Sequence, residues 1–276
     1  MKLMTNGVDL YYRIEGQGDP ALVMHGGLGV DHTPFVNSSF NTLADRLKLV
    51  YYDHRCNGRS GCPDIGSLTH DNLSADAEGL RKALGLDQPT IIGHSYGGFV
   101  ALEYALRYPL KLRRLILITT APSYETLNEA RAEAMRRAPE LMPAVEKSLN
   151  AEAKNNAERR EIMAELAPLY CYNFKEMQNN LVEATKDIVY SVEAHRQSFK
   201  NLVPKYDVRS KLDSINVPVL IICGRHDWIT PVSQSQLMHK MLPNSELVIF
   251  ENSAHWVYVE EPQLFQETVR DWLDRT

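Results

Sequence analysis

The 276-residue sequence predicts an α/β protein built on a mostly parallel, doubly wound sheet that carries a helical insertion. Three observations carry that prediction. Short runs rich in Val, Ile and Leu alternate with amphipathic helical patterns, the signature of strand–helix–strand crossovers. The alternation stops at Ala121 and resumes at about Val208. Glycine-containing or polar loops follow four of the β-rich runs, at the strand ends where a parallel sheet binds ligands.

The elements follow in order. Residues 8–15 mix polar and apolar positions in rough alternation and lead into the turn cluster Glu15-Gly16-Gln17-Gly18-Asp19-Pro20, so they read as the antiparallel edge that starts the sheet. Further strands are expected at 20–25, 47–52, 89–93, 114–120, 217–223 and 246–250, with helical patterns at 37–47, 71–84, 96–107, 232–242 and 261–275. This assigns 1–121 and 208–276 to one α/β core. Residues 122–207 are rich in Ala, Glu, Lys, Leu and Met. Tyr124–Arg137, Pro143–Leu149 and Glu158–Leu166 have helical periodicity, so the stretch is expected to be a helical cap that covers the ends of the strands, excludes water and sets specificity. Its supply of Leu141, Leu166, Tyr170, Phe174 and Phe199 argues against a flexible linker.

Composition narrows the function classes. The formal net charge is −5 and basic residues are dispersed among acids, which argues against nucleic-acid and anionic-membrane partners. The first residues lack an apolar targeting core and no run approaches the length of a membrane span, so a soluble, cytoplasmic protein is expected. The four cysteines, at 56, 62, 171 and 223, have no metal-ligand spacing and are expected to be reduced thiols, with Cys223 packing as a small core residue. His32, His54 and His226 belong to no metal-binding spacing either. Neither a metal nor a cofactor is expected.

The loops carry the chemistry. Gly93-His94-Ser95-Tyr96-Gly97 follows the run Pro89-Thr90-Ile91-Ile92 and opens a helical stretch. This G-x-S-x-G turn holds a serine where a base can reach it and a helix N-terminus faces the developing oxyanion. Upstream, Ala21-Leu22-Val23-Met24 runs into His25-Gly26-Gly27-Leu28-Gly29, which reads as an oxyanion loop. The expected amide donors are Gly27 and Tyr96, with His25 bonding backbone to fix the loop. Downstream, a strand ending at Cys223 precedes Gly224-Arg225-His226-Asp227, and Leu247-Val248-Ile249-Phe250 precedes Glu251-Asn252-Ser253-Ala254-His255. Asp227 is the candidate acid and His255 the candidate base. The chain order of nucleophile, acid and histidine is the one α/β-hydrolases use.

These segments, together with Asp53-His54-Arg55-Cys56-Asn57-Gly58-Arg59-Ser60, make the whole chain resemble an α/β-hydrolase of the proline iminopeptidase-like group. The resemblance implies the fold, the triad and the oxyanion hole. It leaves the substrate open, since this fold serves many chemistries. The iminopeptidases of the group typically read H-G-G-P-G and D-x-R-G-x-G-x-S, where this chain has Leu28 for the proline and Cys56 for a glycine.

The expected activity is that of a cofactor-independent serine hydrolase cleaving a small carboxylic ester or amide through an acyl-enzyme. Ser95 would be the nucleophile, His255 the base and Asp227 its orienting acid. Its partner would be a small-molecule ester, amide or short peptide. A proline iminopeptidase is the first alternative. It would need a carboxylate for the substrate amine, and Glu193, in Tyr190-Ser191-Val192-Glu193-Ala194-His195-Arg196, is the place to look. Trp256, next to the base, is a candidate pocket residue. A lyase or a ligand receptor on the same scaffold is the alternative of another class.

Overall fold

Arg114-Leu115-Ile116-Leu117-Ile118 is buried at every position, as a strand covered on both faces must be. It is the sixth of eight strands in a computed structural model that describes all 276 residues. The strands are β1 (Lys2–Thr5), β2 (Val8–Glu15), β3 (Asp19–Met24), β4 (Leu47–Tyr52), β5 (Thr90–His94), β6 (Arg114–Ile118), β7 (Val219–Gly224) and β8 (Ser245–Phe250). They form one sheet in the order β1-β2-β4-β3-β5-β6-β7-β8. The β1/β2 and β2/β4 pairs are antiparallel and every other pair is parallel. The sheet edge is therefore β1 rather than residues 8–15, the segment expected there. Lys2–Thr5 alternates exposed with half-buried residues and offers no apolar run to mark it.

The helices are α1 (Thr33–Val36), α2 (His70–Ala83), α3 (Tyr96–Arg107), α4 (Thr126–Arg137), α5 (Met142–Leu149), α6 (Asn156–Leu166), α7 (Phe174–Thr185), α8 (Val192–Gln197), α9 (Val232–Met241), α10 (Val257–Glu260) and α11 (Pro262–Arg275). Alternate strand residues feed two cores. Ile91, Leu115, Leu117, Val219 and Ile221 pack toward α2 and α3, while Ile92, Ile116, Ile118, Leu220 and Ile222 pack toward α11. On α11 the buried residues Phe265, Val269, Trp272 and Leu273 recur every three to four positions and form its inward stripe. The stretch expected as a helix over 37–47 is a tighter 3₁₀ turn over Ser39–Asp45.

Between β6 and β7 the chain is helical, from α4 to α8. It leaves and re-enters the sheet layer side by side: Ser123 bridges Asp207, Tyr124 N donates to Tyr206 O at 2.8 Å, and Val208 N donates to Pro122 O at 3.0 Å. These helices share a core of their own that includes Ala130, Val145, Ile162 and Leu166, and Trp228, from the loop after β7, is buried within it.

The cysteines correct an expectation. Cys56 and Cys62 are joined in a disulfide, while Cys171 and Cys223 are free and buried. The reason is local. The backbone turns through positive φ at Cys56 and Gly58, and Cys56 N donates to Gly61 O, which brings the two Cα atoms to 4.2 Å. No helix is long and apolar enough to cross a membrane.

Candidate active site

Ser95 stands between β5 and α3 with φ 55° and ψ −123°, a conformation that L-residues hold only when their surroundings impose it. The surroundings are tight. A Cβ at Gly97 would lie 2.0 Å from Met24 O, so glycine alone lets α3 start against the end of β3. Ser95 N donates to Ile118 O at 2.9 Å, and Thr120 Oγ1 donates to Ser95 O at 2.7 Å, so the turn is pinned from the neighbouring strand. Tyr96 opens α3 as its first residue, where a backbone amide has no intrahelical acceptor.

The loop after β3 packs on this turn, since a Cβ at Gly26 would sit 3.0 Å from Ser95 Cβ. Gly27 has φ 20° and lies in the wall of the cavity that contains Ser95. His25 is fully enclosed and spans the loop base: its Nε2 accepts from His54 N at 3.0 Å, so its Nδ1 carries the proton and donates to Gly26 O at 3.0 Å. Asn57 Oδ1 accepts from Gly29 N, tying the disulfide-closed loop to the glycine loop.

On the other side, β7 and β8 deliver Asp227 and His255. A Cβ at Gly224 would meet Ala254 O at 2.0 Å, so glycine there lets the two loops approach. Asp227 is 2% exposed and all its acceptor sites are in use. Oδ1 accepts from Ile229 N at 3.0 Å and Thr230 N at 3.2 Å, and Oδ2 accepts from Thr230 Oγ1 at 2.6 Å and His255 Nδ1 at 2.8 Å. Glu251, the other nearby acid, pairs instead with exposed Arg225.

Several residues without a sequence motif hold the histidine loop. Thr119 Oγ1 and His94 Nε2 both donate to His255 O at 3.2 Å, and His255 N donates to Tyr170 O at 3.2 Å. Burial keeps His94 neutral, well below its ordinary range. Glu260 accepts from Ala254 N, Trp256 N and Tyr172 N at 2.9, 3.2 and 2.6 Å, while burial pushes its carboxyl up to about 7. His94 could have been noted as the second residue of the serine turn. Thr119, Tyr170 and Glu260 have no sequence signal, because their partners are backbone atoms, which any residue type supplies.

Ser95, His255 and Trp256 face one cavity of about 340 Å³ between the sheet and the helices α5 to α7. Its wall is mainly apolar, with Phe35, Leu149, Met163, Phe174 and Phe199 among its residues. Glu193 is not part of it. That side chain is 63% exposed on α8 and pairs with Arg196 at 2.7 Å, one helical turn away, so its place on the outer face corrects the expectation that it meets a substrate amine.

Residues 20–262 match the model of the alpha/beta hydrolase fold. The chain belongs to the α/β-hydrolase fold family. Within the family it groups with proline iminopeptidase-like members. It is 31% identical to a proline iminopeptidase of Saccharolobus solfataricus, over 98% of this chain and 90% of that one. It is 28% identical to the proline iminopeptidase PfmaB of Pestalotiopsis fici, over 98% of both. Among solved structures, an alpha/beta fold family hydrolase from Bacillus anthracis superposes with a TM-score of 0.83 at 24% identity, covering 98% of both chains, and shares the fold.

Proposed function

We propose that this α/β-hydrolase is a serine hydrolase that cleaves small carboxylic esters or lactones through an acyl-enzyme, with the helices α4 to α8 acting as its cap. The carrying observation is that Ser95, on a strained turn at a helix N-terminus, opens into the same cavity as His255, whose Nδ1 is held by a saturated, buried Asp227. In this reading Ser95 attacks the carbonyl carbon and His255 Nε2 takes its proton. The amides of Gly27 and Tyr96 receive the oxyanion, each stabilising the transition state by about 3 kcal/mol. His255 then returns the proton to the leaving group, and a water deprotonated by the same imidazole releases the acid.

An aminopeptidase role, which the named relatives raise, needs a free carboxylate for the substrate ammonium. Asp31 is the carboxylate in the cavity wall, and it already accepts from Arg59 Nη1 at 2.7 Å, Thr33 N at 3.0 Å and Val189 N at 3.1 Å. The test is a panel of short p-nitrophenyl esters beside proline and alanine arylamides, with fluorophosphonate labelling read out at Ser95. Ester turnover and labelling, both lost in Ser95→Ala, are expected. Arylamide turnover exceeding ester turnover would remove the esterase reading, and absence of labelling would remove the serine mechanism.

A further inference from the structure

Arg159 points a guanidinium into the active-site cavity without a counter-ion. It sits on the buried face of α6 with Ile162 and Leu166, is 5% exposed, and lines the same cavity as Ser95 and His255. Its Nη1 donates to Ser148 Oγ at 2.9 Å and its Nε has no hydrogen-bond partner. It takes part in none of the ion pairs of the molecule. The groups that raise its basicity are the phenols of Tyr170 and Tyr190, and burial outweighs both. Its buried neighbour His195 is neutral and also unpaired. A guanidinium cannot shed its proton, so an unpaired one in an apolar wall is costly and implies a partner that arrives from the cavity.

The setting says which partner. The wall also carries Arg160, and Lys186, whose Nζ is paired with Glu183 at 2.5 Å, while its one carboxylate, Asp31, is committed to Arg59. The wall charges without an ion-pair partner are thus the two guanidinium groups of Arg159 and Arg160. Tyr170 lies between the two ends of the site: its ring stands edge-on 5.4 Å from the His255 ring, and it lines the same cavity as Arg159. A cavity of about 340 Å³ is about 9 Å across if round, room for a short acyl chain between the serine and the guanidinium.

We propose that Arg159 binds a carboxylate carried by the substrate, so that the enzyme selects esters or lactones bearing a free acid a few carbons from the scissile carbonyl. The planar fork of the guanidinium suits a carboxylate, and the guanidinium has no carboxylate partner within the protein. The inference rests on the serine-hydrolase reading and narrows it. It also gives a physical reason for disfavouring an N-terminal amine, which would meet unpaired charges of its own sign.

The test compares mono-4-nitrophenyl adipate, which has a free carboxylate, with its methyl ester, which does not, on the wild type, Arg159→Met and Arg159→Lys. A second pair, 4-acetoxybenzoate and its methyl ester, places the charge on the leaving group instead. In the wild type one of the charged esters is expected to exceed its neutral partner by about 30-fold or more in kcat/KM, with the preference falling to about threefold or less in Arg159→Met and to an intermediate value in Arg159→Lys. Monomethyl adipate, but not dimethyl adipate, should raise the melting temperature of Ser95→Ala protein. That readout needs no turnover and holds even if Arg159→Met does not fold. Wild-type preferences below threefold in both pairs, or equal losses on charged and neutral esters in Arg159→Met, would overturn the proposal. Fluorophosphonate labelling of Ser95 separates the failures: labelling with no charge preference removes this inference alone, and no labelling removes the parent reading.

Discussion

Replacing Asp227 by Asn tests the hydrogen-bond pattern at the base more sharply than deleting the nucleophile does. The carboxylate serves two backbone amides through Oδ1 and two side-chain donors through Oδ2. An asparagine has one oxygen, and the amides of Ile229 and Thr230 require it. Its NH₂ group then faces Thr230 Oγ1, which can rotate to accept, and His255 Nδ1, which must become an acceptor by moving its proton to Nε2. An imidazole protonated at Nε2 cannot receive the proton of Ser95. The loss should resemble that of a triad with the wrong tautomer, about 10³- to 10⁴-fold in kcat/KM, or about 4–5.5 kcal/mol of transition-state stabilisation. Folding stability should change by about 1–2 kcal/mol, because only the buried hydroxyl proton of Thr230 loses its acceptor. Asp227→Ala strands those donors and should cost about 1–3 kcal/mol in addition. The assay is steady-state hydrolysis of a p-nitrophenyl ester beside urea unfolding of the same preparations. An Asp227→Asn enzyme within tenfold of wild type would refute the tautomer argument, as would an activity loss matched by an equal loss of stability.

Two further perturbations follow. Burial holds His54, His70, His94 and His195 well below their ordinary value of 6.5, His70 at about 4, so the unfolded chain takes up protons that the folded chain refuses as pH falls below 6.5. Each should cost about 1 kcal/mol between pH 6.5 and 5.5; Glu260, with its carboxyl raised to about 7, returns about 1, for a net loss of about 3 kcal/mol that urea unfolding at the two pH values would measure, and unchanged or rising stability on acidification would contradict it. For the disulfide, alkylation of unreduced, denatured protein should find two free thiols, Cys171 and Cys223, and Cys56→Ser with Cys62→Ser should lose about 2 kcal/mol from a ring this short; four alkylated thiols would refute the pairing.

The fold was legible where a chemical constraint repeats along the chain. The central strands announce themselves as unbroken apolar runs because both faces are covered, and the serine turn does so because only glycine fits at Gly97. The edge strand Lys2–Thr5 was not legible, having no buried face to write a pattern. The site divides in the same way. Ser95, Asp227 and His255 follow strands in a fixed order, so position along the chain singled them out as candidates. Glu193 looked suitable because it is acidic and lies on the insertion, but which side of a six-residue helix faces inward is set by packing, and α8 buries Val192, Ala194 and His195 instead. Arg159 reads as one more charge on a charged helix until the burial of Ile162 and Leu166 fixes the face it shares. The Cys56–Cys62 pair was hidden because compartment and spacing both spoke for free thiols, while the closing geometry depends on a positive φ at a non-glycine residue.

The hydrogen bond from His255 N to Tyr170 O has company. Tyr172 N reaches Glu260, Ser191 N reaches Gly29 O at 3.0 Å, and Val189 N reaches Asp31. The roof is thus stitched to the base's own backbone on one side and to the glycine loop on the other. Swinging it open as a rigid body would break all four seams, about 1 kcal/mol each, and would slacken the two loops that must stay in register for turnover. The four bonds together set an opening cost of about 4 kcal/mol, so the stitched arrangement outnumbers an opened one by about a thousandfold, and the roof's hold on the two loops is a standing part of the site rather than something each arriving molecule must assemble.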